Sequence, residues 1–467
     1  MSLVVAKFGG TSVADYNAMN RCADIVLANP NCRLVVVSAS SGVTNLLVEL
    51  TQESINDDGR LQRLKQIAQI QYAILDKLGR PNDVAAALDK LLSRMSVLSD
   101  ALASQRSKAT MDELLSLGEQ CSSALFSAVI REKGVNSSAF DVRRVLRTDS
   151  HFGRAEPQVE QIATLARDYL QPLLAEQVIV TQGFIGADEA GQTTTLGRGG
   201  SDYSAALLAE ALRASAVEIW TDVAGIYTTD PRLAPNAFPI AEISFNEAAE
   251  MATFGAKVLH PATILPAVRQ QIQVFVGSSK EPEKGGTWIR HQVEDAPVFR
   301  AVALRRDQTL LNLHSLQMLH AQGFLAETFA TLARHKISVD LITTSEVNVS
   351  LTLDKTGSDS SGQGLLSEAL LQELSQHCRV RVEDGLALVA IIGNRIATTP
   401  GICRRVFEVV PGAPLRFEGD GRAIRHEQRQ HVVITVVGRD TQQPLSPVRI
   451  GVLCQRRMRI EQCAYLV

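Results

Sequence analysis

Two short β-branched runs near the start of the chain, residues 3–6 and 34–38, each give way to Gly and Ser residues and then to a helical pattern. Runs that are apolar at every position suit strands buried on both faces of a parallel sheet, and the helix after each supplies the crossover. The chain is therefore expected to be α/β. Strand-like runs return at residues 178–181, 217–220 and 274–276, with helices expected over 201–214 and 246–258, so the same sheet resumes after an interruption. In that interruption, residues 61–105, Leu64, Ile67, Ile70, Ala73, Ile74 and Leu78 recur at helical spacing without strand signals. A helical subdomain, a lid or wall beside the sheet, is expected there.

Residues 277–298 are rich in Gly, Pro and charge, as at a boundary that few contacts cross. A β-α-β-β-α-β pattern follows: a strand near Leu310, a helix over 324–334, strands over 339–343 and 347–353, a helix over 365–377 and a strand over 380–382. This reads as a ferredoxin-like unit. A strand over 386–392 and a helix over 402–410 open what reads as a second one. A chain of 467 residues accommodates two or three such domains, each with its own core.

A net charge of -3 offers no footprint for nucleic acid. No apolar stretch approaches the roughly 20 residues of a membrane helix, and MSLVVAKFGG lacks a basic n-region and a cleavage site. The seven cysteines are scattered without a C-x-x-C pair, which reads as reduced thiols in a cytoplasm. No His and Cys cluster has metal spacing and no Gly-x-Ser-x-Gly elbow occurs; His260 and His320 read as structural.

Lys7-Phe8-Gly9-Gly10-Thr11-Ser12 follows the first strand, and a Gly pair there lets backbone N–H groups approach phosphate oxygens without a Cβ in the way. Because the Lys precedes the glycines this is not a Walker A loop, and an ordinary strand-to-turn reading stands beside the phosphate one. Thr195-Leu196-Gly197-Arg198-Gly199-Gly200-Ser201-Asp202 places three glycines around an arginine at a helix mouth, a second anion site or else a plain glycine turn. Asp202 stands where a dinucleotide fingerprint needs Gly, which disfavours dinucleotide binding. Arg198 can grip a carboxylate bidentately, and Asp202 can organise Lys7 or a metal-bound phosphate.

Glu119 can meet a substrate ammonium, and Thr44 with Asn45 a carboxylate, although a solvated helix face explains Glu119 equally well. Residues 221–232 join a strand end to a turn bearing Asp222, Tyr227 and Arg232, groups suited to a nucleotide or to an ordinary loop. Lys257 can meet a phosphate or snorkel at the surface.

KFGGTSV (7–13), SASSGVTN (38–45), LGE (117–119), TTTLGRGGSDYSA (193–205), WTDVAGIYTTDPR (220–232) and MATFGAKVLHPAT (251–263) resemble, in order and spacing, the aspartate kinases of the amino-acid kinase superfamily. Residues 318–353 resemble the lysine-sensitive monofunctional form, and the similarity runs from residue 1 to about 408. The resemblance implies an amino-acid kinase fold over residues 1–293, a mostly parallel sheet between helices, then a regulatory region over 299–467. There a first ACT unit, about 315–385, is inserted in a second formed by about 299–314 and 386–467. It implies direct transfer of the γ-phosphoryl of ATP to the β-carboxylate of L-aspartate, with no phosphoenzyme, at the entry to lysine, threonine and methionine synthesis.

In this resemblance Lys7 and Asp202 act at the transferring phosphate, lined by Gly9 and Gly10. Thr44, Glu119, Arg198 and Ser201 hold aspartate, and Thr221, Asp222, Tyr227, Arg232 and Lys257 hold ATP, which brings Mg2+. L-lysine as effector would meet Met318, Gly323, Phe324, Leu325, Ser338, Val339, Asp340, Thr344, Ser345 and Glu346 at a homodimer interface, possible higher oligomers included. Asp340 and Glu346 would balance its ammonium groups.

From about residue 410 the resemblance ends, and residues 411–467 hold nine Arg and no Lys. A frame change in the coding sequence accounts for such a switch, with a divergent domain as the alternative. An incomplete second unit would leave a sheet edge open and weaken lysine control, although a strand-like stretch at 431–437 can still pair. The rival readings are a kinase for another acceptor, such as glutamate or a carbamate, and an amino-acid sensor on a silent kinase fold. A fused dehydrogenase is disfavoured, since no nucleotide-binding strand-turn-helix follows the ACT region.

Overall fold

The computed structural model describes residues 2–197, 199–255, 259, 261–294, 297–318, 322–354, 366–394, 396, 399–402 and 404–405, with the backbone of 415–416, 431–439 and 448–455. It divides into two compact units. The first comprises Met1–Tyr227, Phe238–Ala252 and Lys257–Asp295, and the second Thr228–Ala237, Thr253–Ala256 and Ala296–Val467.

The chain opens with β1 (Val4–Phe8), α1 (Tyr16–Ala28), β2 (Cys32–Val37) and α2 (Val43–Leu50). A helical block follows: α3 (Asp57–Lys77), α4 (Asn82–Ser104) and α5 (Lys108–Glu132). Next come β3 (Ser137–Phe140), α6 (Val159–Leu165), α7 (Gln171–Glu176), β4 (Val178–Gln182) and a hairpin of β5 (Ile185–Ala187) and β6 (Thr193–Thr195). Then follow α8 (Gly200–Ala211), β7 (Ala216–Thr221), β8 (Glu242–Ser244), α9 (Phe245–Thr253), α10 (Pro261–Gln270), β9 (Gln273–Ser278) and β10 (Gly286–Arg290).

Eight of these strands form one sheet in the order β3-β4-β2-β1-β7-β9-β10-β8. Every pair is parallel except β9 with β10. All five residues of β1 and of β4 are buried, as the apolar runs require. The expected helical subdomain is a packed wall: Ile67, Ile74, Leu75, Leu88, Met95, Leu125 and Phe126 share one core with Val4, Ala6 and Val35 of the sheet. Its first turn of chain reversal is marked in the sequence, since α3 stops at Gly79 (φ +72) and Pro81.

The second unit contains β11 (Ala301–His314), α11 (Phe324–Arg334), β12 (Ser338–Thr344), β13 (Asn348–Asp354), α12 (Glu368–Ser375), β14 (Arg379–Asn394), β15 (Leu415–Arg416), β16 (His431–Arg439) and β17 (Val448–Gln455). The sheet order is β12-β13-β11-β14-β16-β17-β15. Its first four strands, with α11 and α12, have the ferredoxin-like order, over a core of Leu311, Leu313, Leu332, Val349, Leu351, Leu353, Leu370 and Leu374.

Two expectations change here. The short strand near Leu310 is a 14-residue strand, and the separate strands over 380–382 and 386–392 are one 16-residue strand. Glu383-Asp384-Gly385 reads as a turn, but two register shifts opposite it, between Arg305 and Leu310, absorb the irregularity and the ladder continues. β16 lies parallel to β14, so the stretch at 431–437 does pair with the sheet. The helix expected over 402–410, and His260 and His320, fall largely or wholly outside the described residues.

Because Ile74 is 1 % exposed in the shared core, Ile74→Ala should cost about 2–5 kcal/mol of stability, read as a lower urea midpoint. An unchanged midpoint would mean that the helical wall does not share the core of the sheet.

Candidate active site

The carboxyl ends of the parallel strands are where an open α/β sheet leaves a crevice, and β1, β2, β4 and β7 all deliver chemically active segments there. Lys7 is the one charged residue of β1, flanked in register by Val36 and Ile219 and only 8 % exposed. Its Nζ lies 2.5 Å from Asp202 Oδ1 in the first turn of α8, and neither side chain is more than 18 % exposed. That oxygen is buried and, among the described residues, the Lys7 ammonium is the charge that meets it. The pair leaves Lys7 two further N–H donors for an anion.

Of the two glycines after Lys7, Gly10 is sterically required, whereas a Cβ on Gly9 would meet only ordinary contacts. The Gly9 N–H donates to the Trp220 carbonyl at 3.2 Å, and the Ser12 N–H donates back to the Gly9 carbonyl at 2.9 Å, closing a tight turn. A Cβ on Gly10 would stand 2.9 Å from the Ala39 carbonyl oxygen, while the Ser41 N–H donates to the Gly10 carbonyl at 3.1 Å. The β1 loop and the β2 loop are thus stitched together with no room for a side chain between them.

Beneath the β2 loop runs α5. A Cβ on Gly118 would approach Ala39 Cβ to 2.8 Å, so glycine lets the helix come close enough for Glu119 Oε1 to accept the Ala39 N–H at 3.2 Å. Glu119 is 4 % exposed, and burial pushes its carboxyl up to about 8 against the pull of that hydrogen bond. The solvated-face alternative for Glu119 is therefore wrong: a residue 80 positions away covers it. Thr44 and Asn45 stand exposed in the first turn of α2, which starts from Gly42 at φ +84.

Ser201 reaches the site through close packing of α8 on the β4 end. A Cβ on Gly183 would lie 2.6 Å from Ser201 Cβ, and one on Gly200 would lie 2.7 Å from the Phe184 ring. Phe184 itself sits at φ +73, a conformation that costs a bulky residue about 1–3 kcal/mol and that sequence reading did not single out. Arg198 lies outside the described residues.

On the other side of β1, the Thr221 carbonyl at the end of β7 accepts the Ser279 N–H at 2.8 Å and the Ser279 hydroxyl at 3.1 Å. Ser279 Oγ also lies 2.6 Å from Ser12 Oγ, which ties the β1 loop to the β7 end. The isolated Ser-Ser pair after β9 carried no signal of this role. Thr221 donates its hydroxyl to Asp222 at 3.2 Å, Asp222 is exposed, and Tyr227 is half-buried and bridged to Pro239. Arg232 belongs to the second unit and is ion-paired with Asp230 at 2.7 Å; Lys257 lies outside the described residues.

The effector positions all belong to the second unit. Met318, Phe324 and Val339 are half-buried against its ferredoxin-like core, and Gly323 caps α11 at φ +92. Leu325, Thr344, Ser345 and Glu346 are exposed, and the Ser345 N–H donates to the Asn348 carbonyl at 2.8 Å. Ser338 and Asp340 lie on β12, where Asp340 is paired with Arg305 at 2.8 Å.

Among the described residues no helix is long and apolar enough to cross a membrane. The arrangement of buried lysine, glycine turns and a dry carboxylate suits holding and transferring an anionic group. Comparison with known proteins agrees. Residues 2–278 match the model of the amino acid kinase family. The chain is 59 % identical over 415 residues to lysine-sensitive aspartokinase 3 of Escherichia coli strain K12, covering 89 % of this chain and 92 % of that one. It is also similar to the crystal structure of E. coli aspartokinase III in complex with aspartate and ADP (R-state), at 58 % identity and TM-score 0.80, covering 90 % of this chain and 94 % of that one. For the T-state complex with lysine and aspartate the TM-score is 0.76 at the same identity and coverage.

Glu119 ties stability to pH. With its carboxyl raised from 4.5 to about 8, the folded protein holds a proton that the unfolded chain releases. Its contribution is therefore full below about 4.5 and lost as pH rises through about 8. Glu119→Gln should melt higher than the parent protein at about pH 8.5 and gain little at about pH 5, by calorimetry. Identical pH dependence in both proteins would show that Glu119 is not held protonated.

Proposed function

This chain belongs to the amino acid kinase family as one of its aspartokinases, and from that premise we propose how its residues divide the work. It transfers the γ-phosphoryl group of ATP to the β-carboxylate of L-aspartate, giving 4-phospho-L-aspartate and ADP, under feedback inhibition by L-lysine. The observation that carries the residue assignment is the Lys7–Asp202 pair, at 2.5 Å and mostly buried, over the Gly9-Gly10 turn.

In our reading an aspartate β-carboxylate oxygen attacks the γ-phosphorus as the bond to the β,γ-bridging oxygen breaks, with ADP leaving in line. Lys7 neutralises charge on the transferring phosphoryl group, and Gly9 and Gly10 admit it at backbone distance. Mg2+ would arrive with the ATP phosphates and supply further charge neutralisation, with the Asp202 carboxylate, paired with Lys7, beside it. Little covalent work remains for the protein, so positioning dominates.

Glu119 receives the aspartate ammonium, Ser201, Thr44 and Arg198 its carboxylates. A carboxyl held near 8 is neutral in much of the empty protein at neutral pH, and an arriving ammonium favours its ionised form, so binding expels a proton. Thr221, Asp222, Tyr227, Arg232 and Lys257 are assigned to ATP. We place the lysine site on the ferredoxin-like unit, at the positions from Met318 to Glu346 named above, in an ACT pair that assembles as a homodimer in the cytoplasm. Arg305 already balances Asp340, so an incoming ammonium group has to compete with a resident guanidinium there.

The test is aspartyl hydroxamate formation from ATP, Mg2+, L-aspartate and hydroxylamine, with and without L-lysine. We expect product, suppressed by lysine, and in Lys7→Ala a fall in kcat of roughly a hundredfold or more in a protein that still folds but melts below the parent, since Asp202 loses its partner. Product with glutamate but not aspartate would overturn the acceptor, and full activity in Lys7→Ala would overturn the role of the lysine.

A further inference from the structure

α5 carries a second buried carboxylate on the face that presents Glu119. Asp112 lies two helical turns earlier, roughly 10 Å along the axis, and is 2 % exposed. Its Oδ2 accepts the Gly153 N–H and the Thr195 N–H, both at 2.8 Å, and its Oδ1 accepts the Thr195 hydroxyl at 3.1 Å. Among the described residues no cation pairs with it. Burial raises its pKa while these three hydrogen bonds hold it down. A charge kept dry without a counter-ion is costly, and three converging donors are the compensation such a group needs.

What the donors belong to gives the carboxylate its meaning. Thr195 ends β6, and the chain passes from it through Gly197 (φ +76) and Gly199 (φ +72) into the first turn of α8, where Ser201 and Asp202 stand. Gly153 (φ +89) is the tip of a second loop that lies against the first: its carbonyl would be 3.5 Å from a Cβ on Gly197, and the Ala155 N–H donates to the Thr195 carbonyl at 2.8 Å. Asp112 therefore clamps both loops to the helix that presents Glu119.

We propose that Asp112 is a positioning residue for the acceptor: it fixes the root of the 196–202 segment relative to Glu119, so that the groups gripping the two ends of aspartate keep their separation. This rests on the assignment of Glu119 and Ser201 to aspartate. Asp112 touches no reacting atom, and its action is through Thr195 and Gly153. A sub-ångström slip of one grip relative to the other is enough to lower productive binding strongly, because near-attack geometry tolerates little error.

The test compares Asp112→Ala, Asp112→Asn and Thr195→Val in the full-length protein, with KM for aspartate, KM for ATP and thermal unfolding measured on each. Asn keeps an oxygen for the two N–H donors and offers its amide to the Thr195 hydroxyl, so it should rescue. We expect KM for aspartate to rise roughly tenfold to a hundredfold in Asp112→Ala with KM for ATP within about threefold, near-parental values in Asp112→Asn, and an intermediate rise in Thr195→Val.

A folded Asp112→Ala with unchanged KM for aspartate would overturn the proposal. So would equal rises in both KM values with a lowered melting temperature that Asp112→Asn shares, the signature of a merely structural acid. If Asp112→Ala does not fold, Thr195→Val decides: a selective rise in KM for aspartate supports the clamp, and an unchanged one rejects it. A parent protein that makes no aspartyl hydroxamate would instead sink the function and the proposal together, whereas an active parent beside an indifferent Asp112→Ala sinks the proposal alone.

Discussion

An ammonium and a carboxylate meeting at 2.5 Å, both largely out of water, are the contact around which the first unit is organised. Removing two charges from solvent costs several kcal/mol per ion, and attraction offsets that only when the geometry is closely held. The local irregularities nearby serve this end. α8 can bring Asp202 to the end of β1 only because Gly183 and Gly200 leave no side chain between it and the β4 end, and because Phe184 accepts a positive φ. Gly9 and Gly10 then keep the space beside the pair open to an anion. A strand that is otherwise Val-Val-Ala-Phe tolerates one lysine because its ammonium meets Asp202 at the carboxyl end of the central strands, where the chain turns.

α5 is the second organising element, and it does two jobs on different faces. Leu114 and Leu125 join the core shared with α3, α4 and the sheet. Asp112, Glu119, Ser122 and Ser123 form a buried polar line: Ser122 faces Ser40 at 3.3 Å, and Ser123 accepts from Gln182, whose carbonyl oxygen in turn accepts the Val142 N–H. A helix with buried polar groups on one side is stable only if each group finds a partner, and here the partners are the loops that carry the chemistry. Core packing and site geometry are thereby transmitted through one rigid rod.

In the second unit, β14 runs through what sequence reading divides into two strands, and β11 extends well beyond the short strand expected near Leu310. The turn preference of Glu383-Asp384-Gly385 survives as a bulge: Gly385 sits at φ +72, the register with β11 passes over exposed Asp384 and Gly385, and pairing resumes on both sides. Arg305 on β11 and Asp340 on β12 face each other at 2.8 Å, a pairing that strand order brings about and that neither residue announces in the sequence.

The order of strands and helices is legible in the sequence because hydrophobic periodicity is local, and so are the phosphate-type turns, because Gly197 and Gly199 hold a positive φ that other residues resist and Gly10 has no room for a Cβ. Lys7 and Asp202 are legible as chemically able groups that could act together, but the closeness of their contact across 195 positions and its burial are not. Glu119 shows the limit most clearly. Within its own helix it reads as a solvated acid, and Gly118 beside it is the one hint of close approach, since glycine inside a helix costs about 1 kcal/mol against alanine. Only the folded chain lays Ala39 over it, takes it out of water and moves its carboxyl to about 8. The sequence by itself determined the α/β plan and the kinds of groups available, because backbone preference and polarity are properties of residues and their neighbours. Tertiary structure alone decided which groups are charged, which are paired and which hold loops in place, because solvation and distance are properties of the surroundings that folding assembles.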